Sequence, residues 1–191
     1  HVEYYIIKND TLTAKLFDVL TRKALEGVEV RLLFDAMGGR YLPRSILDSF
    51  ESAGGKIGVF FPSRFRMLNL RINYRNHRKI VVIDGITGFV GGFNIGNEYL
   101  GLEKKMGYWR DTHLKIVGSA AYELQHRFLL DWRASSNEEL LIDDTKLNHY
   151  FPTIPQKSGA GIQIVSSGPD NINQQIKQGF LRMINTAEDY I

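Results

Sequence analysis

The feature that most constrains the fold is an alternation of strand-like and helix-like segments in the first third of the chain. Residues 28–34 (VEVRLLF) form a strongly apolar run, which is typical of a strand buried in a sheet. Apolar residues recur at helical spacing through residues 11–26 and again through 43–53, and residues 56–61 predict another strand. Strands that alternate with helices predict an α/β fold whose sheet contains parallel strands joined by right-handed crossovers.

The densest polar chemistry lies in residues 74–99 (YRNHRKIVVIDGITGFVGGFNIGNEY). His77 and Lys79 stand just before the apolar run 80–83. Because residues i and i+2 of a strand point to the same face, we expect the imidazole and the ammonium to project side by side. We interpret this stretch as half of an active site.

A run of positive charge surrounds this stretch, although the net charge of the chain is only +3. No acidic residue occurs between residues 56 and 83, and such a one-signed segment favours anionic ligands. Loop 62–75 interleaves arginines with large apolar residues, which fits either contact with lipid headgroups or a loop whose apolar side chains pack under the domain. The candidate substrate-binding cations are Arg64, Arg66, Arg71 and Arg75.

Composition excludes several classes of protein. A chain with 43% hydrophobic and 24% charged residues resembles a folded α/β protein rather than a disordered one. The absence of cysteine excludes disulfides and thiolate metal sites, and we expect no metal. No apolar window of about 20 residues and no secretory signal pattern is visible.

The second half of the chain predicts a further strand and helix, followed by the start of a second copy of the strand–helix pattern. Residues 102–107 predict a polar loop, 109–117 a strand and 120–134 an amphipathic helix. A strand, a helix and the start of another strand are predicted at 161–165, 172–187 and 188–191. We interpret the chain as a fragment with an internal repeat, whose first copy lacks its opening strand and helix. The predicted parts are a catalytic domain over 1–134, a linker over 135–160 and the start of a second domain over 161–191.

The motif itself resembles that of a known superfamily. His77-Arg78-Lys79 followed by Asp84 is similar to the HxKxxxxD motif of the phospholipase D superfamily, and Gly91-Gly92-Phe93-Asn94 is similar to its trailing Gly-Ser-x-Asn element. Gly92 stands where many members have serine. The surrounding sequence resembles bacterial cardiolipin synthases, in segments that include RNHRKIVVIDG, GFVGGFNIGNEYLG and GYWRDTHLKI.

The resemblance implies a fold, an activity and partners. The fold would be a phospholipase D-like sandwich of helices around a mixed, largely parallel β-sheet. The activity would transfer a phosphatidyl group between two phosphatidylglycerol molecules and release glycerol. A histidine from a second motif, in the other half of the same chain, would protonate the leaving group. The implied setting is a bacterial cell membrane with the anchor outside this fragment, without cofactor and without nucleic acid.

The residue types suit this chemistry. Lys79 can offset the charge of a phosphodiester, and a neutral His77 can attack phosphorus to form a phosphoryl-histidine. Asp111 is the candidate for fixing the tautomer of His77, although a salt bridge to a neighbour would leave the same pattern. Asn94 is placed to donate to a phosphate oxygen, with Gly91 and Gly92 beside it in the candidate substrate site. Asp84 completes the motif and either holds the turn or pairs with a cation.

Two other functions remain open from sequence alone. The same unit could act with water as a phospholipase D-type phosphodiesterase or as a nuclease. It could also be a non-catalytic half that binds lipid or another polyanion, and we expect the isolated fragment to be inactive.

Overall fold

The computed structural model describes residues 1–61, 75–136, 138–140, 143–155, 159–168 and 172–191. The chain divides into two compact units, His1–Gln156 and Lys157–Ile191. The predicted active-site stretch belongs to the first unit, which contains all the strands found in the described residues.

A six-stranded mixed sheet forms the centre of the first unit, in the order β3-β2-β1-β4-β5-β6. The pairs β1–β2 and β2–β3 are parallel, whereas β1–β4, β4–β5 and β5–β6 are antiparallel. The predicted α/β class and mixed sheet are confirmed, but the parallel pairs occupy only one half of the sheet. The strands are β1 Val2–Tyr4, β2 Arg31–Asp35, β3 Lys56–Phe60, β4 Lys79–Ile83, β5 Thr87–Gly91 and β6 His113–Val117.

Five α-helices and one short 3-10 helix are found in the described residues. The first begins after Asp10, whose carboxylate accepts hydrogen bonds from the backbone N–H groups of Leu12 and Thr13 at 3.0 and 3.1 Å. The helices are α1 Thr11–Leu25, α2 Arg44–Ser52, α3 Ala121–Ser136, α4 Asp144–Tyr150 and α5 Gln175–Asn185, with the 3-10 helix at Asn97–Leu100.

Helices cover both faces of the sheet in the first unit. Because neighbouring residues of β2 point to opposite faces, this strand contributes to a core on each side. Leu32 packs with Phe17 of α1 and Phe50 of α2 in one core. Leu33 packs with Trp132 of α3 in the other. The fully buried strand agrees with the prediction from its continuous apolar run, and the sandwich of helices around a sheet is the predicted architecture.

Residues 135–160 differ from the predicted linker. They begin with the last turn of α3 and include α4. Leu140 and Tyr150 are buried in the core beside Leu33. The described residues of this segment up to 155 therefore belong to the first unit, and the division between units falls after it.

Other sequence expectations also fail. Residues 159–168 and 188–191 form no strand, because a short β-like pattern needs a partner strand and none pairs with them among the described residues. Strand β1 is hydrogen-bonded to β2 on one side and to β4 on the other, so it is not an outer strand of the sheet. No helix in the described part of the chain is long and apolar enough to cross a membrane.

Candidate active site

The candidate site lies at one edge of the sheet, meaning the edge formed by the ends of its strands, where β1 and β5 end and β4 begins. Lys79 opens β4 and pairs with Tyr4, the last residue of β1. Gly91 closes β5 and pairs with His113, the first residue of β6. The antiparallel pairings therefore bring the segment before β4 and the segments after β1 and β5 to the same edge.

His77 and Lys79 project side by side, as the sequence predicts. Lys79 Nζ lies 2.9 Å from His77 Nδ1 and donates to the carbonyl oxygen of His77 at 2.8 Å. The ring of Tyr5 lies 4.6 Å from the His77 ring, between centroids, and 5.6 Å from Lys79 Nζ. His77 is exposed, whereas Lys79 is only 5% exposed. An accessible imidazole thus stands beside a largely buried cation.

This arrangement lowers the pKa values of both groups. Burial lowers the pKa of Lys79 to about 8, and the negative charge of Asp111 partly opposes that shift. Burial, and then the positive charge of Lys79, lowers the pKa of His77 below its ordinary value. The imidazole is therefore neutral at pH 7, which is the form a nitrogen nucleophile requires.

Asp111 does not make the predicted contact with His77. Its carboxylate accepts hydrogen bonds from the backbone N–H of Thr112 at 2.7 Å and from Trp109 Nε1 at 3.4 Å. Among the described residues no hydrogen bond joins it to His77, and its charge acts instead on Lys79. The structure therefore relates Asp111 to the cation of the motif rather than to the nucleophile.

The two glycines allow segments of the site to approach closely. A Cβ atom at Gly92 would lie 2.1 Å from Asp111 Oδ1, and one at Gly91 would lie 2.5 Å from the carbonyl oxygen of Thr112. Any side chain at residue 92 would displace the Asp111 carboxylate from its present position. Close packing thus explains why residues 91 and 92 are glycine, while their contact with substrate stays a prediction.

Asn94 is held in place from both ends of its amide. Its Oδ1 accepts from the backbone N–H of Ile6 at 3.2 Å, and its Nδ2 donates to Tyr99 Oη at 3.1 Å. Tyr99 is buried, and burial raises its pKa to about 12, so its hydroxyl stays protonated. An amide nitrogen carries two hydrogens, so one N–H of Asn94 is left for a phosphate oxygen.

The other predicted site residues have different positions. Asp84 is exposed at the turn between β4 and β5, at the opposite end of β4 from Lys79, with a positive φ of 51° that aspartate tolerates better than most residues. It forms no ion pair with Lys79 among the described residues. Arg75 Nη1 lies 3.7 Å from Oδ1 of the buried Asp35. Arg64, Arg66 and Arg71 lie outside the described residues.

Sequence reasoning missed the buried residue that fixes the segment just before His77. Asn76 donates its backbone N–H to Asp35 Oδ2 at 3.4 Å and its side-chain Nδ2 to Glu3 Oε1 at 2.6 Å. Its own Oδ1 accepts from the backbone N–H of Arg78 at 3.1 Å. Nothing in the sequence separates this asparagine from an ordinary loop residue, because its partners come from two other strands.

Glu3 and Asp131 form a buried carboxyl pair behind this asparagine. Burial, and then the charge of Asp131, raises the pKa of Glu3 well above its ordinary value. Asp131 carries the negative charge, which Arg127 Nη2 and Arg78 Nη1 balance at 2.6 and 3.1 Å. As a carboxylate, Glu3 would leave the buried Oε2 charged and without a partner, so we assign the proton to Glu3.

No group of three or more histidine, aspartate or glutamate side chains suited to hold a metal ion is found among the described residues. His113 lies beside the site, with its Nδ1 buried and without a hydrogen-bond partner among the described residues. Burial lowers the pKa of His113, so its ring is neutral at pH 7.

An exposed histidine in contact with a buried lysine two residues on, at one edge of a mixed α/β sheet and in the HxK spacing, agrees with the resemblance to the phospholipase D superfamily. A family model described as "Cardiolipin synthase, PLD-like domain" matches residues 1–132, and the chain belongs to this family.

Curated relatives agree with that assignment. The chain is 51% identical to the major cardiolipin synthase ClsA of Bacillus subtilis over 188 residues, which cover 98% of this chain and 38% of that protein. It is 50% identical to a cardiolipin synthase of Listeria innocua and 49% identical to one of Oceanobacillus iheyensis, each over 100% of this chain and 39% of the relative. The chain thus spans about two fifths of the length of these relatives.

Proposed function

We propose that the whole protein containing this chain is a phosphatidyltransferase that converts two phosphatidylglycerol molecules into cardiolipin and glycerol. The observation that carries the proposal is the contact between the exposed, neutral His77 and the buried Lys79. A nucleophile and a cation at one open edge are what a phosphodiester requires, since its negative charge repels an attacking group.

In the first step a neutral ring nitrogen of His77 attacks the phosphorus of phosphatidylglycerol. A phosphorus–nitrogen bond forms, the bond from phosphorus to the glycerol oxygen breaks, and that oxygen takes a proton from the histidine of the second motif, outside this chain. Lys79 can keep its hydrogen bond to the carbonyl oxygen of His77 while another of its hydrogens turns from the ring to a phosphate oxygen. Asn94 supplies its remaining N–H to the phosphate.

In the second step a hydroxyl of another phosphatidylglycerol attacks the phosphatidyl-histidine. Its proton passes to the second-motif histidine, the phosphorus–nitrogen bond breaks, and His77 returns to its neutral form. One phosphodiester replaces another, so the reaction consumes no nucleotide.

The same proposal sets the partners and location of the whole protein. The substrate resides in a bilayer, so the site must face a membrane surface, and the second catalytic half must complete it. We place the protein at the bacterial cell membrane, with the anchor in segments outside these residues.

The test uses the full-length protein with vesicles of phosphatidylglycerol. We expect cardiolipin and glycerol in equal amounts, and a loss of at least about a hundredfold in His77→Ala, because removing a nucleophile costs more than removing one acid–base group. His126→Ala, which alters an exposed histidine on α3, is the matched control and should keep full activity. Phosphatidic acid without cardiolipin would instead identify a phospholipase that transfers to water.

A further inference from the structure

A cluster of exposed apolar side chains lies beside the active site, in residues 100–108, which we call the apolar loop. Leu100, Leu102, Met106 and Tyr108 are 56%, 64%, 52% and 87% exposed. The sequence predicts a polar loop here, because lysines and a glutamate separate the apolar residues. The structure instead turns the apolar side chains outward.

The apolar loop is held by its own backbone hydrogen bonds. The N–H of Leu102 donates to the carbonyl of Asn97 at 3.1 Å, and the N–H groups of Met106 and Gly107 both donate to the carbonyl of Glu103 at 3.0 Å. The ring of Trp109, directly after the loop, packs against Tyr99 with 5.1 Å between centroids. A defined loop that presents apolar side chains outward marks an interaction surface.

The charges around these side chains select the kind of partner. Lys104, Lys105 and Arg110 form no ion pair within the part of the chain that the structure describes, and Glu103 is the only acidic residue between 100 and 110. Unpaired cations next to exposed leucine, methionine and tyrosine match an anionic bilayer, which has phosphates at its surface and acyl chains below. A nucleic acid would use the cations and leave the apolar groups in water.

The position of the loop agrees with this partner. It connects Asn94 and Tyr99 to Asp111, so both of its ends lie at the active site. At the same edge of the sheet the segment after β2 exposes Tyr41, with the guanidinium of Arg40 over its ring at 4.6 Å. Apolar and cationic side chains from two segments therefore accompany the edge that carries the exposed imidazole.

We infer that the apolar loop contacts the anionic lipid surface, with Leu102 and Met106 among the acyl chains and Lys104 and Lys105 at the phosphates. The inference rests on the proposed function, because it assumes that the substrate is taken from a bilayer. It adds the segment by which the catalytic unit reaches a substrate whose headgroup must arrive at His77 while its chains stay in the membrane.

The test is lipid quenching of a probe in the loop. The 191 residues contain no cysteine. In the whole protein, on a background free of other cysteines, Leu102→Cys carries a fluorophore and the protein is reconstituted with phosphatidylglycerol vesicles containing brominated acyl chains. Leu25→Cys is the matched control, because Leu25 is 72% exposed at the far end of α1. We expect strong quenching at residue 102 and little at residue 25.

Two results would overturn the inference. One is equal quenching of both probes by the brominated lipid. The other is a probe at residue 102 that is shielded from aqueous iodide yet not quenched by lipid, which would mean that protein covers the loop. Quenching of the probe needs no catalysis. A protein that makes phosphatidic acid instead of cardiolipin would therefore contradict the proposed function, but the inference about the apolar loop would still depend only on the quenching.

A variant provides a second arm. Leu102→Glu combined with Met106→Glu should lower activity on vesicles at least about tenfold, because carboxylates replace apolar groups in the acyl region. Activity on a dispersed short-chain phosphatidylglycerol should be unchanged. Equal losses on both substrates, or no loss on either, would contradict the assignment of this loop to the membrane.

Discussion

Lys79 is the residue whose charge limits the pH range of the proposed reaction. Its pKa is about 8, and the pKa of His77 is lowered from 6.5. Activity should rise with pH as His77 loses its proton below 6.5, and fall near pH 8 as Lys79 loses its charge. The measurement is kcat/KM for phosphatidylglycerol against pH.

Lys79→Arg separates this explanation from others. Arginine stays charged at every pH used, so the alkaline fall near pH 8 should disappear even though the variant is slower. An unchanged alkaline fall in Lys79→Arg would mean that another group, such as the second-motif histidine, produces it.

At this scale the sequence predicts neighbours along a strand but not partners across strands. The contact between His77 and Lys79 follows from their spacing alone. The position of Asp111 does not, because it depends on the pairing of β5 with β6 and on the space that Gly92 leaves open. Sequence reasoning therefore predicted a contact of Asp111 with His77, whereas the structure shows an effect of its charge on Lys79.

Among the elements, β1 and α3 are linked by the Glu3–Asp131 pair, which makes stability depend on pH. The pKa of Glu3 is raised in the folded protein. The contribution of Glu3 to the free energy of unfolding is therefore complete below its unfolded pKa of about 4.5 and is lost as pH rises towards its folded pKa. Over that window the free energy of unfolding should fall by about 1.4 kcal/mol per pH unit from this group.

Glu3→Gln should abolish that fall, because glutamine can donate to Asp131 and cannot ionise. Denaturant unfolding at a series of pH values measures it, with Glu51→Gln on the exposed side of α2 as the control. A pH dependence that persists in Glu3→Gln would show that Glu3 is not the titrating group.

The elements themselves could be predicted where their patterns are strong. Helices α1, α2 and α3 and strands β2, β3 and β4 lie within a few residues of their predicted bounds. Short α4 was missed because seven residues carry little periodicity, and its place depends on Tyr150 packing in the core. The resemblance implied a mixed but largely parallel sheet, and the extent of the antiparallel pairing was not predicted, since alternating strands and helices indicate parallel neighbours only where a helix connects them.

For the whole molecule, Tyr150 shows that the first unit extends well beyond α3. Tyr150 is buried and its hydroxyl contacts Glu29 and Arg31. Tyr150→Ala should lower the free energy of unfolding by about 3–5 kcal/mol, as other large-to-small core substitutions of aromatic residues do. Tyr108→Ala, at an 87% exposed tyrosine, should change it little. If denaturant unfolding showed equally small changes in the free energy of unfolding for both variants, residues 138–155 would behave as the predicted linker and not as part of the core.

The second unit, Lys157–Ile191, contains helix α5, and none of that helix's residues is buried. Its interpretation as the start of a second phospholipase D-like domain stays a prediction based on the resemblance. The proposed reaction depends on that second domain, because His77 can attack but cannot also protonate the leaving glycerol.

The central claim is that His77 carries the phosphatidyl group. Rapid quenching of the full-length protein with phosphatidylglycerol, followed by digestion under alkaline conditions and mass spectrometry, tests it directly. The predicted result is a phosphatidyl group on His77, present in His113→Ala and absent in His77→Ala. A phosphatidyl group on a histidine of the second motif instead would contradict the account, since His77 would then be the acid rather than the nucleophile.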